Sequence, residues 1–398
     1  MLRDTNIGID SVAFSTSRYF LPLSVLAEHR SVDYRKYCDG IGQIAMSVFP
    51  PNEDIVTIAV DAAQKAISFI DNLDTIDLVI FATESSFDLS KAAAIYVHNF
   101  LKLKPSCTAF DIKQACYSLT AAIKMARCFV QSNPGSKVLV IGSDIVKYSP
   151  NSSGEPTQGG AAVAAVISEN PRIIAFEPYS GVHTTDIADF WRPSAAKEAM
   201  FVGRLSAHNY LESLKFALDE YLQKSQLALA DLDYVCFHSP FNKMATKAAR
   251  QFFPEKDVHD ASIYNAKIGN SCSASLYISL ISLLDNCSEN LSGKRIGLYS
   301  YGSGSVAEYF SGIVCDKYRE MSLALKNQEL LDSRIEISFD EYEQFCANVI
   351  PASDTKCSYQ NVGQVFLSEM IDGYRMYQLK EQINKSSVDN CFNMLNIA

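Results

Sequence analysis

The eleven cysteines of this 398-residue chain include no CxxC pair and no cysteine–histidine cluster at metal-ligand spacing. That excludes the common zinc frameworks and points to scattered, reduced thiols rather than a disulfide scaffold. Positive charge is in deficit: 35 Lys and Arg stand against 45 Asp and Glu, a formal net charge of −10. General affinity for nucleic acid or for an anionic membrane surface is therefore not expected. No apolar run reaches the roughly 20 residues that span a bilayer. The longest, residues 274–284, contains Ser and Tyr and reads as a core helix. The opening stretch, MLRDTNIGIDSVAF, lacks a signal-peptide pattern. Two glycine-rich stretches, residues 154–160 and 302–304, allow close backbone approach but follow neither GxGxxG nor GKS/T, so no nucleotide site is assigned. The expectation is a cytoplasmic protein with no metal and no cofactor.

Apolar residues make up 48% of the chain, enough for a large core in one domain or two fused ones. Residues 77–83 (DLVIFAT) and 137–143 are continuous apolar runs of the kind that form strands buried on both faces. Residues 7–14 alternate and predict a strand. Residues 52–69 predict a helix, with Glu53 and Asp54 in its first turn and an apolar face of Ile55, Ile58, Ala59, Ala62, Ala63, Ala66 and Ile67. Short helices or loops are expected over 24–28 and 34–38, and a helix over 90–101. The second half repeats this order. DYVCFH (233–238) matches DLVIFA, the segment from Gly269 matches the helix after residue 116, KRIGLYSY matches KVLVIGSD, and GSGSVAEYFSGIV matches GGAAVAAVI, all at an offset near 156 residues. A constant offset over several elements in the same order implies an internal duplication and a layered α/β fold. Residues 1–170 and 171–316 form the two halves. Beyond about residue 317 the character changes: polar helices over 321–333 and 339–349, a strand then a helix over 362–379, and a polar end at 382–398, together an appendage on the core.

The chemistry-bearing stretch is residues 110–127, FDIKQACYSLTAAIKMAR, a short strand running into a helix of small apolar residues. Cys116 sits at the turn between them. The N–H groups and partial positive charge of a helix N-terminus lower a thiol pKa and can hold an oxyanion on a bound thioester, so Cys116 is the candidate nucleophile; the alternative is a buried structural cysteine. Glu84 follows a buried strand, where desolvation raises a carboxyl pKa toward that of a useful base; it could equally cap the next helix or pair with a cation. Asp88 could serve as a helix cap. His238 ends the matching strand of the second half and can offer a hydrogen bond or a proton to a carbonyl, or be a core histidine bonded to backbone. A pseudo-two-fold axis would bring Cys116 and His238 together. Asn270 precedes the second buried helix, where it can orient a carbonyl, cap the helix, or do both. Lys243, Lys247 and Arg250 share a helix face after His238, suited to a phosphorylated carrier such as coenzyme A, or simply solvated.

These motifs resemble hydroxymethylglutaryl-CoA synthases of the bacterial mevalonate type, in the thiolase-like superfamily. The matching stretches are IGIDSVAF, FATESSFDLSKAAA, FDIKQACYS, VLVIGSDIVKYS, SGEPTQGGAAVA, DFWRPS, CFHSPFNKM, IGNSCSASLY and YSYGSGSVAEYFS, in family order, with FDEYEQF and VFLSEMIDGYR in the tail. The resemblance implies a five-layered thiolase-like fold of two duplicated halves, with Cys116 as nucleophile, Glu84 as general base and His238 as the acetoacetyl-binding histidine. It places supporting roles in substrate binding on Asp88, Tyr117, Asp144, Asp189, Phe190, Asn270 and Tyr301, and oxyanion-holding amides on Cys116 and on one of residues 302–305, Ser305 among them. It implies acetyl-CoA and acetoacetyl-CoA as substrates and a cytosolic homodimer without metal. Three other readings stay open: a polyketide β-branching synthase of the same family acting on acyl-carrier-protein substrates, a ketoacyl synthase, which the Glu of TES argues against, and a partner-binding scaffold without catalysis, which an intact Cys116, Glu84 and His238 argue against.

Overall fold

In the computed structural model, nine strands join edge to edge in the order Tyr234–Phe237, Arg295–Gly302, Val306–Val314, Ile174–Thr184, Ile7–Ser15, Gly159–Glu169, Lys137–Val146, Ile76–Ala82 and Thr108–Ile112. The structure describes residues 6–193, 196, 198–347, 355–356 and 363–380. The join between the two halves is narrow, with Gly8 opposite Ala175 and Ile9 opposite Ile174. A Cβ on Gly8 would lie 1.9 Å from the carbonyl oxygen of Ile174, so the two edges meet this closely only at glycine.

Each half uses the same pairing scheme. Ile76–Ala82 runs parallel to Lys137–Val146, which turns back antiparallel into Gly159–Glu169. Tyr234–Phe237 runs parallel to Arg295–Gly302, which turns back antiparallel into Val306–Val314. The duplication breaks at one place: the residues equivalent to the edge strand Thr108–Ile112 fall in the helix His259–Ile268.

The strands are apolar on both faces because both faces are covered. Leu78, Ile80, Val138 and Val140 point into one apolar layer, shared with Leu119, Ala122 and Ala126 of the helix Ser118–Ser132 and with Leu276, Leu280 and Leu283 of Ser275–Asn286. The alternate residues Val79, Phe81, Leu139 and Ile141 point the other way, against the helices Ile55–Ile67 and Ala93–Phe100. In the second half, Cys236, Ile296 and Leu298 face the central layer, while Val235, Phe237, Tyr299 and Tyr301 face the helices Gly203–Ser225 and Asn242–Phe252. Period-two burial on each strand therefore builds three apolar layers between five layers of secondary structure, with the two central helices in the middle. This is the thiolase-like architecture. The parallel strands of both halves deliver their C-terminal ends, and so Glu84, Cys116, Asp144 and His238, to one side, where α/β folds place their sites.

Two expectations change. Asp54, expected inside the first turn of its helix, is the N-cap: it accepts from Val56 and Thr57 N–H while the Thr57 hydroxyl accepts from Asp54 N–H, a closed capping box. The stretch expected as strand then helix over 362–379 is instead a hairpin, Val365–Ile371 and Tyr374–Leu379. Asp372 and Gly373, at φ 49° and 80°, form its turn, and an Asp-Gly pair in left-handed conformation matches the twist of an antiparallel ribbon. The region beyond residue 317 is tied to the first half at several points. Ile335 pairs with Tyr19, Phe339 and Phe345 pack on Leu21 and Leu26, and Arg375 and Tyr377 each bond the Asp54 carboxylate at 2.6 Å. Residues 382–398, expected as a polar end, lie outside the described residues.

Candidate active site

The strand Thr108–Ile112 ends one turn before Ser118–Ser132, and that turn is fixed from several directions. Tyr117 N–H donates to Gln114 O at 3.0 Å, the Ser118 hydroxyl donates to Ala115 O at 2.7 Å, and Gln114 N–H donates to the same hydroxyl at 2.6 Å. Gly302 presses against it from the other half; a Cβ there would lie 2.7 Å from Gln114 O and from Tyr117 N. Cys116 is thereby held half-buried at the mouth of the central helix. The second half presents its own counterpart of this turn, and the residue 156 positions on is Cys272, whose thiol donates to Cys116 Sγ at 2.8 Å.

A cavity of about 290 Å³ opens over these sulfurs. Cys116 and Glu84 from the first half and His238, Asn270 and Tyr301 from the second line one wall or another of it, with Phe190 and Met244 as apolar lining. The sequence-based pairing of Cys116 with His238 thus holds, and Glu84 joins them.

The electrostatics differ from the expectation at the sulfur. The Cys272 thiol, the largest influence, draws the Cys116 pKa down, but burial and the carboxyl groups of Glu84, Asp144 and Asp189 outweigh it, and the thiol stands above its ordinary value. The helix terminus does not by itself make a thiolate here. Glu84 moves as expected: burial, then the charge of Asp144, push its carboxyl up to about 8, against the opposing pull of Arg192 and the Cys272 thiol. His238 is buried and its pKa falls to about 3, so the ring is neutral across the working range. Its Nδ1 lies 2.6 Å from the Ser275 hydroxyl, which itself accepts from Ser239 N–H at 3.0 Å. We assign the Ser275 hydroxyl as donor to Nδ1, an assignment that puts the imidazole hydrogen on Nε2 and makes the ring a donor there.

Several residues expected to touch substrate do other work. Asp144 is fully buried and accepts from the Thr83 hydroxyl at 2.8 Å, Glu84 N–H at 2.8 Å, Ser85 N–H at 3.1 Å and its hydroxyl at 2.9 Å, and Ser273 N–H at 3.1 Å and its hydroxyl at 2.5 Å. It fastens the Glu84 loop to the Cys272 turn and has no lone pair to offer a ligand. Asp189 is likewise buried and accepts from Tyr301 O–H at 2.7 Å and Gly304 N–H at 3.0 Å. Tyr117 turns away from the cavity and donates to the Glu308 carboxylate. Asp88 is exposed and caps a turn through Ser90 and Lys91 N–H at 2.8 and 2.9 Å. Ser305 is buried beneath the wall, its hydroxyl accepting from Asn209 at 2.9 Å and its N–H donating to Thr185 O at 2.6 Å. With Gly304 N–H also engaged, two of the amides expected as oxyanion donors are occupied; of the remaining two, Gly302 and Ser303, it is Ser303 that lines the cavity.

Asn270 is not the helix cap, a position Ser271 holds for the short turn Cys272–Ala274; its side chain closes the preceding turn by accepting from Cys272 N–H at 2.9 Å, and it lines the cavity. The glycine before it matters more: Gly269 has φ 90°, and a Cβ there would lie 2.0 Å from Gln158 O, just as one on Gly159 would lie 2.3 Å from Ile268 O. The TQGG and IGN motifs are thus one backbone-to-backbone contact between the halves. Lys243 is half-buried and Lys247 and Arg250 exposed. None of the three lines the cavity, but Lys243 Cγ would lie 3.3 Å from a Cβ on Gly42, next to the cavity residue Ile41.

The sequence reading missed three residues here. Tyr148 lines the cavity, Ser275 orients His238, and the Arg192 guanidinium donates to Glu84 O. It also left Cys272 without a role, although the 156-residue offset maps Cys116 directly onto it. Among the described residues no group of three or more His, Cys, Asp or Glu is placed to hold a metal, and no helix is long and apolar enough to cross a membrane.

Comparison with known proteins agrees with this geometry. The family model described as "Hydroxymethylglutaryl-coenzyme A synthase N terminal" matches residues 3–171, and its C-terminal counterpart matches 174–254 and 246–375. The hydroxymethylglutaryl-CoA synthase of Enterococcus faecalis is 41% identical over 354 residues, spanning 86% of this chain and 92% of the relative. The polyketide biosynthesis 3-hydroxy-3-methylglutaryl-ACP synthase PksG of Bacillus subtilis (strain 168) is 31% identical over 367 residues, 84% of this chain and 87% of the relative. Among solved structures, an HMG-CoA synthase complexed with CoA superposes with a TM-score of 0.89 at 34% identity, covering 94% of this chain and 100% of that one. MvaS in complex with 3-hydroxy-3-methylglutaryl coenzyme A does so at 0.89 and 33%, covering 94% and 99%. With Cys116, Glu84 and His238 gathered in one cavity on this fold, the two family models and the 41% identical relative place the chain in the hydroxymethylglutaryl-CoA synthase family.

Proposed function

We propose that this protein condenses acetyl-CoA with acetoacetyl-CoA and water to give 3-hydroxy-3-methylglutaryl-CoA and coenzyme A, the step that feeds the mevalonate route to isoprenoids. The observation that carries the reading is the single cavity that gathers Cys116, Glu84 and His238 from both halves. Cys116 Sγ attacks the acetyl thioester, coenzyme A leaves, and an acetyl-S-enzyme remains. Acetoacetyl-CoA enters with its ketone oxygen toward His238 Nε2–H and Asn270. Glu84, as carboxylate, removes a proton from the acetyl methyl group. The enolate oxygen is held by N–H groups at the start of the central helix, those of Cys116 and Ser303 in our assignment. The enolate carbon attacks the ketone carbon, the new alkoxide takes its proton at the His238 side, and water cleaves the enzyme thioester. Asp144, Asp189, Tyr117 and Ser275 act as positioning residues.

The carrier is assigned as coenzyme A, with Lys243 and Lys247 near its phosphates, because the coenzyme A-dependent relative is closer (41%) than the carrier-protein one (31%). A homodimer is supported by the edge strand Thr108–Ile112, which among the described residues has no strand paired on its outer side, where a second copy could add one. A cytoplasmic setting is supported by the free thiols of the nine described cysteines, and no cofactor or metal enters the reaction as written. Replacing Glu84 by Ala tests the assignment of roles: acetylation of Cys116 should persist while condensation falls roughly 10²–10⁴-fold. Condensation at the normal rate in that variant would remove Glu84 from the mechanism.

A further inference from the structure

Nine cysteines lie among the described residues, all with free thiols. Two of them touch. Cys116 Sγ and Cys272 Sγ are 2.8 Å apart, about 0.8 Å beyond the roughly 2.05 Å of a disulfide, and no other two thiols among the described residues are hydrogen-bonded to each other. Both line the same cavity, which gives a small molecule its way in. Their exposure is unequal: Cys116 is half-buried and faces the cavity, whereas Cys272 is 1% exposed and lies behind it. Both turns are pinned. Cys272 N–H is held by Asn270 and the next residue by Asp144, and the Cys116 turn is held by Ser118 and backed by Gly302. The two turns therefore hold the sulfurs against each other. Condensation as derived above gives Cys272 no bond to make or break. A second thiol held against a nucleophile is what an oxidation-protecting or oxidation-sensing pair requires.

We propose that Cys116 and Cys272 form a peroxide-responsive thiol pair that closes into an intramolecular disulfide, switching the nucleophile off reversibly. The first step is attack of Cys116 sulfur on a peroxide oxygen. The O–O bond breaks, the thiol proton passes by way of Glu84 to the departing hydroxide, and water and a Cys116 sulfenic acid result. Cys272 sulfur then attacks Cys116 Sγ. The S–O bond breaks, hydroxide leaves with the Cys272 proton as a second water, and the S–S bond forms. Two thiols lose two electrons in all, and one peroxide gains them. A thiol or dithiol reductant reverses the change by exchange. Because the Cys272 sulfur already touches Cys116 Sγ, disulfide closure competes with attack by a second peroxide and so keeps Cys116 from the irreversible sulfinic state.

The test treats the full-length protein with hydrogen peroxide, blocks remaining thiols, and maps peptides by mass, before and after dithiothreitol. Expected is a protein lighter by two hydrogens, a cross-linked peptide pair carrying Cys116 and Cys272, and loss of acetylation by acetyl-CoA that dithiothreitol restores. In Cys272→Ser the pair is absent, Cys116 gains oxygens instead, and most of the lost acetylation does not return with dithiothreitol. Cys116 sulfinic acid in the wild-type protein without the 116–272 cross-link, or a cross-link to another cysteine, would overturn the proposal. The peptide map does not depend on condensation, so it stands or falls separately from the proposed reaction.

Discussion

At the scale of single residues, the site is governed by what burial does to three groups. Glu84, raised to about 8, is about one-tenth ionised at pH 7. In the proposed reaction the base form removes the methyl proton, so kcat/KM for condensation should rise about tenfold per pH unit below pH 8 and level above it. A profile flat from pH 6 to 9 would contradict the assignment. His238, near 3, contributes no titration in that window, and its ring resonances should stay those of neutral imidazole from pH 5 to 9. Ser275 fixes which ring nitrogen carries the hydrogen. Ser275→Ala should leave acetylation intact while kcat for condensation falls about tenfold, the loss of one oriented hydrogen bond. Asp144 is a different kind of residue. Its raised pKa comes from burial, opposed by the bonds from Ser273, Thr83 and backbone N–H groups. Asp144→Asn would turn an amide donor toward those donors and should cost about 3 kcal/mol of stability, read from denaturant midpoints. Sequence reasoning named Asp144 and Asp189 but gave them to the substrate. A carboxylate in a motif looks the same whether it meets a ligand or six protein donors; only the folded loop around it decides.

At the scale of elements, the strands were legible because both-face burial writes itself as unbroken apolar runs, as in residues 77–83, and the halves were legible because the offset repeats. The hairpin after residue 365 was not read correctly, because Val365–Ile371 mixes polar and apolar residues and the Asp372–Gly373 turn signal was passed over. The helix His259–Ile268, where the duplication calls for a strand, is an element that a repeat-based reading gets wrong by construction. The glycine motifs became clear only as contacts. Gly269→Ala would need a side chain at φ 90° and 2.0 Å from a carbonyl oxygen. It should destabilise the protein by about 3 kcal/mol and loosen the seam between Gln158–Gly159 and the Cys272 turn. A Tm unchanged within a degree would refute that role.

At the scale of the whole molecule, three apolar layers hold the two halves of the nine-stranded sheet about the paired central helices, and the strand ends they fix carry Glu84, Cys116 and His238. The fold and the meeting of Cys116, Glu84 and His238 in one cavity were thus readable from motifs and duplication, while the supporting shell was not: Tyr148, Ser275 and Arg192 lie within quoted motifs, but nothing in a motif says which of its side chains turns toward the cavity. The claim that most depends on this architecture is that the first chemical event is acetyl transfer to Cys116. Intact mass after mixing with acetyl-CoA tests it directly. One acetyl group should add to the wild-type protein and none to Cys116→Ala, and the adduct should vanish when acetoacetyl-CoA is supplied, as 3-hydroxy-3-methylglutaryl-CoA appears. An adduct formed only from an acetyl carrier protein, or no adduct from either donor, would contradict the account.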